Sequence, residues 1–476
     1  MRLCAQVLAH LRFTNPPQSI TLSVNTMPRL SLLLSLLVGL FVLPALSVSP
    51  RAEAQSQEGA WYADNWQFRQ KITVNHKRVA GPLAGFPMLV RMSGDIFQHA
   101  QGDGDDIVFT AADGTTKLWH EIESFDDELI AWVQVPHLSE QADTTLYVYY
   151  GNPQAQNQQR PQDVWDQTTY AGVWHLNQSP ADTQEDATPH NRDGTPVNID
   201  GLDGRAAGKI GPAVSFDGVE DYVDLEHAFQ FGAEGITISL WINTTTTAGS
   251  FVFGTLDDGI NSVIRLALNR NEDGTIAAGK TWWHIRADGG NTRNVSFSED
   301  IYDGKWHHVT GIRDGATTSV FVDGQPVSLA VGFNDLLAGR TINTEYDFAL
   351  GARNNRGVVG GFYEGDIDQV TISKVARSAA WIQTEYNNQC NCEQFLTIGN
   401  RQNQPVAAAA SGTPTPIELT GPAITSINEL FRTAYARGPT FAEWQYWATR
   451  IINNDKPTFP SLLGAMQWHL LFGENN

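Results

Sequence analysis

Glu364, Asp366 and Asp368 alternate along the chain, so on a β-strand their three carboxylates point to one side. Retaining glycoside hydrolysis needs two carboxylates about 5 Å apart, one as nucleophile and one as acid. A second chemistry lies in Asp186-Ala187-Thr188-Pro189-His190-Asn191-Arg192-Asp193-Gly194, a turn-rich run of oxygen-bearing side chains. Hard cations such as Ca²⁺ take roughly six to eight oxygen ligands from loops of this kind. Trp282 and Trp283 neighbour His284 and Arg286, and an indole there could stack on a sugar; the competing use of such rings is the core of a sandwich. His120-Glu121-Ile122-Glu123-Ser124 begins like a zinc-protease helix but lacks the second histidine four residues on. His307 and His308 are adjacent, so a strand sends them to opposite faces and they share no ligand. The sequence has no Gly-x-Ser-x-Gly elbow and no phosphate-cradling Gly-Lys-Ser/Thr loop.

The elements that must position these residues are mainly β. From Trp66 to Tyr150 short alternating runs recur, among them Phe68-Arg69-Gln70-Lys71-Ile72-Thr73-Val74 and Thr145-Leu146-Tyr147-Val148-Tyr149-Tyr150. They predict a small β-sandwich over residues 60–155. From 165 to 390 the punctuation is Asp-Gly: Asp258-Gly259, Asp273-Gly274, Asp288-Gly289, Asp303-Gly304, Asp314-Gly315 and Asp323-Gly324. Asp-Gly readily takes the positive φ angles of tight hairpins, which predicts a large antiparallel sandwich. Residues 402–422 are rich in Ala, Pro, Thr and Gly and read as a linker. Beyond it, Ile424, Ile427, Phe431 and Tyr435 recur at helical spacing, and Thr440-Phe441-Ala442-Glu443 is a capping box. Residues 423–476 are therefore expected to form a short helical module, marginal on its own at that size.

Composition bounds the partners. The 476 residues carry 31 Lys+Arg against 52 Asp+Glu, a formal net charge of −21, and a chain so acidic repels phosphate backbones, which argues against nucleic acid. Three cysteines are too few for a disulfide scaffold or a Cys4 zinc site. Arg29, the apolar run Leu30 to Val48 and the small-x-small site Ala52-Glu53-Ala54 follow in the order of a secretory signal peptide. Residues 1–54 are read as that leader, with Met27 as a natural start and 1–26 as an upstream extension. The run is also just long enough to span a bilayer; Pro44 and the alanine site favour cleavage. No cysteine follows the apolar run, so a lipid anchor is not expected. Export would place the protein in the periplasm, on the cell surface or outside the cell. Cys390 and Cys392 would remain, to pair with each other, pair with another chain, or stay free.

Two resemblances sharpen this. Asp105-Asp106-Ile107-Val108-Phe109, Leu118-Trp119-His120-Glu121-Ile122-Glu123 and Leu146-Tyr147-Val148-Tyr149-Tyr150-Gly151-Asn152 resemble a bacterial domain of unknown function that often sits ahead of a laminin-G-like module. Val173-Trp174-His175-Leu176, Ser215-Phe216-Asp217-Gly218, Asp303-Gly304-Lys305-Trp306-His307-His308-Val309, Val320-Phe321-Val322-Asp323-Gly324 and Gly365-Asp366-Ile367-Asp368-Gln369-Val370 resemble, in order, the laminin-G/concanavalin-A-like jelly roll. That resemblance implies a carbohydrate- or protein-binding fold that catalyses in some members. The jelly-roll glycosidases carry Glu-x-Asp-x-x-Glu, and here Gln369 stands where the second glutamate would fall. The 186–194 loop resembles the family's stretch near a structural Ca²⁺, which implies Asp186 and Asp368, with Asn191, as metal ligands. It departs from the pattern at Thr188-Pro189-His190.

The sequence thus points to an exported, non-catalytic recognition or adhesion protein whose jelly roll binds a glycan or a surface protein. The N-terminal sandwich would be a spacer or second binding module, and the tail an attachment element for membrane-associated assembly. The alternatives are a polysaccharide-degrading enzyme with scattered acids, or a purely structural surface protein.

Overall fold

The computed structural model describes residues 60–405, apart from 226–227, 234, 256–261, 272, 289–291, 335–336, 345–346, 356–357 and 391. The leader, residues 406–422 of the expected linker and the 423–476 helices lie outside the described residues.

In the small sandwich, the alternation read in Phe68–Val74 turns Ile72 and Val74 inward, both fully buried. This strand pairs with Thr144–Tyr150, which continues to Val108–Ala111 and Lys117–Leu118. The facing sheet is Leu83–Met92, Leu129–Leu138 and His120–Phe125, antiparallel throughout. Met88, Val90, Phe109, Val133 and Val148 fill the space between them.

The larger sandwich is the antiparallel jelly roll expected. One sheet runs Arg205–Ala207, Pro212–Asp217, Glu364–Ser373, Ile236–Asn243, Trp306–Asp314, Thr317–Val322 and Gln325–Pro326, with Tyr170–Trp174 also paired to Glu364–Ser373. The other is built on Thr292–Phe297, Ile276–Arg286, Val263–Arg270 and Phe251–Gly254. Asp-Gly works as predicted where Val322 pairs with Gln325 across Asp323-Gly324, whose φ angles are 50° and 73°. A two-residue turn that follows the strand twist demands positive φ at both positions.

What the sequence did not foretell is how the two sandwiches are joined. After the jelly roll the chain returns to the first one: Leu396–Ile398 and Gln402–Asn403 add to the edge of Phe68–Val74, with Val74 opposite Leu396 and Arg69 opposite Gln402. Residues 402 and 403, expected in the linker, are therefore sheet. The helix Ala379–Cys390 is wedged between the bodies. On one side Asn388 Oδ1 accepts from Leu89 N (2.7 Å), its Nδ2 donates to Leu89 O (3.0 Å), and Thr384 Oγ1 accepts from Ala80 N (3.0 Å). On the other, Trp241 Nε1 of the jelly roll donates to Gln389 Oε1 (2.5 Å). Trp381, Ile382, Phe395 and Leu396 share one core with the small sandwich, together with Ile312 and Phe321 of the jelly roll. The jelly roll is an insertion into the first domain, and the two bodies share packed side chains. Cys390, at the end of the helix, is a free thiol.

Candidate functional site

Three elements bring charge to the junction. On the strand His120–Phe125, period-two alternation separates His120 from its neighbours. His120 is fully buried against Phe109 in its own domain, and burial pushes its pKa down to about 3. Glu121 and Glu123 reach toward the jelly roll. There His175, just past the Tyr170–Trp174 strand, lies between them: Nε2 is 3.2 Å from Glu121 Oε2 and Nδ1 is 3.3 Å from Glu123 Oε2.

Gln369 completes the cluster. The register of Glu364–Ser373 against Ile236–Asn243 slips between Ser239 and Trp241, and Gln369 has φ 51°. Such a bulge re-aims a side chain. The Gln369 carbonyl oxygen sits 2.7 Å from His175 Nδ1, and its amide donates to both Glu123 oxygens at 3.0 and 3.1 Å. Two indoles close the site: Trp132 Nε1 donates to Glu123 Oε2 (2.7 Å) and Trp165 Nε1 to Glu121 Oε2. Trp132 also stacks on the His175 ring at 5.7 Å.

Burial by itself would discharge His175, but the Glu123 and Glu121 carboxylates overcome it and raise the pKa to about 10, so the ring is an imidazolium. Burial raises the pKa of Glu123, and the His175 charge opposes that rise. Asp368, two residues before the paired Val370, is fully buried and pushed well above the usual carboxylate range by burial, against a hydrogen bond from Ile210 N (2.8 Å). Among the described residues its Oδ1 has no hydrogen-bond partner.

A cleft of about 340 Å³ opens beside the cluster, lined by Glu121, Glu123, His175, Asn177, Gln178 and Asn191 among others. A larger cavity, about 1070 Å³, lies where Leu396–Ile398 meets the end of the helix. Its two arginines are already neutralised, Arg91 by Glu128 and Arg401 by Asp95.

The positions expected to hold calcium have a different use. Asp186 Oδ1 accepts from Val173 N and Thr188 N, both at 3.0 Å. Its Oδ2 accepts from Thr188 Oγ1 (2.8 Å) and Arg192 N (2.9 Å). Donors, not oxygen ligands, converge on this carboxylate. Asn191, at φ 49°, serves the same turn, its N–H donating to Thr188 O at 3.2 Å. Asp186 and Asn191 line the cleft, whereas Asp368 lies under Lys209 and Ile210 with its carboxyl held by their backbone. Among the described residues no group of three or more His, Cys, Asp or Glu is placed to hold a metal ion. The hydrogen bonds to Asp186 already organise the loop without an ion. A chelator is accordingly expected to leave the thermal unfolding midpoint unchanged; a fall of several degrees that calcium reverses would restore the metal.

Nor do the tryptophans offer a stacking platform. Trp283 is 1% exposed and belongs to the jelly-roll core, and Trp282 is 5% exposed behind Arg265 and Phe251. Alternation explains the split, since adjacent strand residues face opposite sides. Glu364 and Asp366 do share a side, but each is hydrogen-bonded to a neighbour, Glu364 to Thr246 Oγ1 (3.1 Å) and Asp366 to Asn243 Nδ2 (3.1 Å). Reading along the chain missed Glu121, Glu123 and His175 as one site, because they meet only across the junction. The signal present was a pair of glutamates two apart on a half-buried strand, a pattern that puts unpaired charge toward a neighbour.

The fold is a concanavalin A-like jelly roll preceded by a small β-sandwich. The family models agree. Residues 217–383 match the family described as "Concanavalin A-like lectin/glucanases superfamily", and residues 103–178 match "Domain of unknown function (DUF2341)". The chain carries both, in the order read from the sequence. No curated protein matches the chain. Among solved structures, it is similar to domain 4 of AbnA, a GH43 extracellular arabinanase from Geobacillus stearothermophilus in complex with arabinotriose, at 20% identity and TM-score 0.34, over 46% of this chain and 98% of that one. The ligand-binding domain of botulinum neurotoxin serotype D in complex with N-acetylneuraminic acid is 13% identical, TM-score 0.34, over 46% of this chain and 51% of that one. A heptameric SAP-like pentraxin from Limulus polyphemus is 12% identical, TM-score 0.30, over 39% and 93%.

Proposed function

We propose that this is an exported, non-catalytic recognition protein that binds a neutral glycan in the cleft between its two sandwiches. The observation that carries the reading is the chemistry of the cleft wall: carboxylates and amides from both bodies converge on it. Carboxylate and amide oxygens are acceptors, and the vicinal hydroxyls of a sugar are the donors that suit them. The Ala52-Glu53-Ala54 leader supports export.

A non-catalytic role is favoured by the state of the acids. Glu123 has no exposed side-chain surface and both oxygens are bonded, and Asp368 is sealed. In affinity electrophoresis against soluble neutral polysaccharides, at least one is expected to retard the full chain. Gln178→Ala with Asn191→Ala should weaken that binding about tenfold, the effect of losing one or two hydrogen bonds, with no release of reducing ends. Binding indifferent to these changes, or to no polysaccharide at all, would refute the cleft. Reducing-end release lost on Glu121→Gln would instead make the protein an enzyme.

A further inference from the structure

The outer face of the second jelly-roll sheet carries a different chemistry from the junction. Ile264, Leu266, Leu268, Trp283 and Ile285 turn into the core, which leaves Arg265, Trp282 and His284 on the other side of the same strands. Phe251 anchors this face, and guanidinium groups gather on it: Arg353 lies 4.7 Å and Arg270 4.9 Å from its ring centroid. Gly254 makes room, since a Cβ there would come within 3.1 Å of the Arg265 Cβ and 3.2 Å of the Arg353 Cβ.

Arg270 and Arg353 have no carboxylate partner among the described residues. Arg270 spends one donor on Gly274 O (2.8 Å), and among the described residues its buried Nε has no hydrogen-bond partner. Burial and the neighbouring Arg353 charge both lower the Arg270 pKa. The two guanidinium groups share the Phe251 ring and each feels the other's charge, a cost that an anion between them would offset, and guanidinium forks match oxyanions in geometry. Apolar surface flanks the pair. Ile276, directly opposite Arg270 in the ladder, and Val358, on the hairpin that carries Arg353, are each 70% exposed.

We propose that Arg270 and Arg353, held on the Phe251 ring, bind a single carboxylate or sulfate group of an acidic sugar, whose ring rests on Ile276 and Val358. At a net charge of −21 the field of the whole chain opposes a long polyanion, so the site suits one charged group rather than a nucleic acid. The saccharide half of this inference rests on the glycan-binding function proposed above; the anion half stands on the arginines alone.

Titration calorimetry of the full chain with sodium glucuronate, glucose and sodium sulfate tests it. Glucuronate is expected to bind at least about tenfold tighter than glucose. The double change Arg270→Gln with Arg353→Gln should abolish that preference, and Arg353→Lys should keep part of it. The cleft changes Gln178→Ala and Asn191→Ala should leave glucuronate binding intact, which separates a failure at this face from a failure at the cleft. Equal binding of glucose and glucuronate, or no effect of the double change, would overturn the site. Sulfate binding as tightly as glucuronate would overturn its saccharide half. In the unaltered chain, glucuronate should shield Arg270 and Arg353 from phenylglyoxal; modification at an unchanged rate would count against the site even if the double variant fails to fold.

Discussion

Replacing His175 with alanine is expected to destabilise the folded chain by about 3–5 kcal/mol, the cost of leaving buried charge without its counter-ion. Among the described residues His175 is the cation that lies between Glu121 and Glu123, and Glu123 has no exposed side-chain surface on which to recover water. The effect carries a pH signature. The folded chain holds the His175 proton more tightly than the unfolded chain does. Its contribution is therefore complete below about 6.5 and is lost as pH rises through about 10. Burial raises Glu123 and Asp368 as well, so they too favour the folded state when protonated, and their contribution falls as pH climbs out of the carboxylate range. Urea unfolding should show stability declining between pH 6.5 and 10, with a shallower decline in His175→Ala. A stability that climbs across that range, or a variant within about 1 kcal/mol of the parent, would contradict an imidazolium latch.

The second large effect concerns the first sandwich. Residues 60–155 expressed alone are expected to show no cooperative unfolding, whereas the whole of 60–405 should unfold through a transition the two sandwiches share. The reason is the composition of the core. Trp381, Ile382, Phe395 and Leu396 come from beyond the jelly roll, and Ile312 and Phe321 from within it. Fully burying one such side chain is worth about 1.5–3 kcal/mol, while a whole domain is stable by only about 5–15 kcal/mol. Losing all six, with the edge strands Leu396–Ile398 and Gln402–Asn403, leaves too little. Trp381→Ala in the full chain should reproduce part of the loss, about 3–5 kcal/mol, since Trp381 packs edge-on to Phe86 at 5.0 Å. Circular dichroism and tryptophan fluorescence against urea would settle both. A sharp, native-like transition from the 60–155 fragment would show that the sandwich is a free-standing module after all.

Much of this architecture was legible residue by residue. Ile72 and Val74 alternate with polar neighbours, so the strand and its buried face follow from period two. Asp323-Gly324 predicts a tight hairpin because few other pairs accept two positive φ angles. Gln369 was readable as an amide where an acid would serve glycoside hydrolysis; its position on a bulge between His175 and Glu123 was not. Trp282 and Trp283 show the limit from the other side. Adjacent aromatics on one strand are indistinguishable in sequence, yet one fills the core and the other lies under arginines. The Asp186 loop could not be read further in sequence, because calcium ligation and self-capping by N–H donors use the same residue types, and only the direction of the donors separates them.

The order of alternating runs and Asp-Gly turns by itself pointed to two antiparallel sandwiches, because strand period and turn conformation are local properties; that the second is a jelly roll came from its resemblance to the laminin-G/concanavalin-A-like family. The return of the chain to the first sandwich, the helix wedged between the bodies and the Glu121–His175–Glu123 cluster were decided by tertiary structure alone. Each depends on residues far apart in the chain being packed together, as His175 with Glu121 at a separation of 54 and Arg69 with Gln402 at 333. Contacts at that range are chosen by the burial of whole surfaces, and no local pattern records which distant surface each strand will meet.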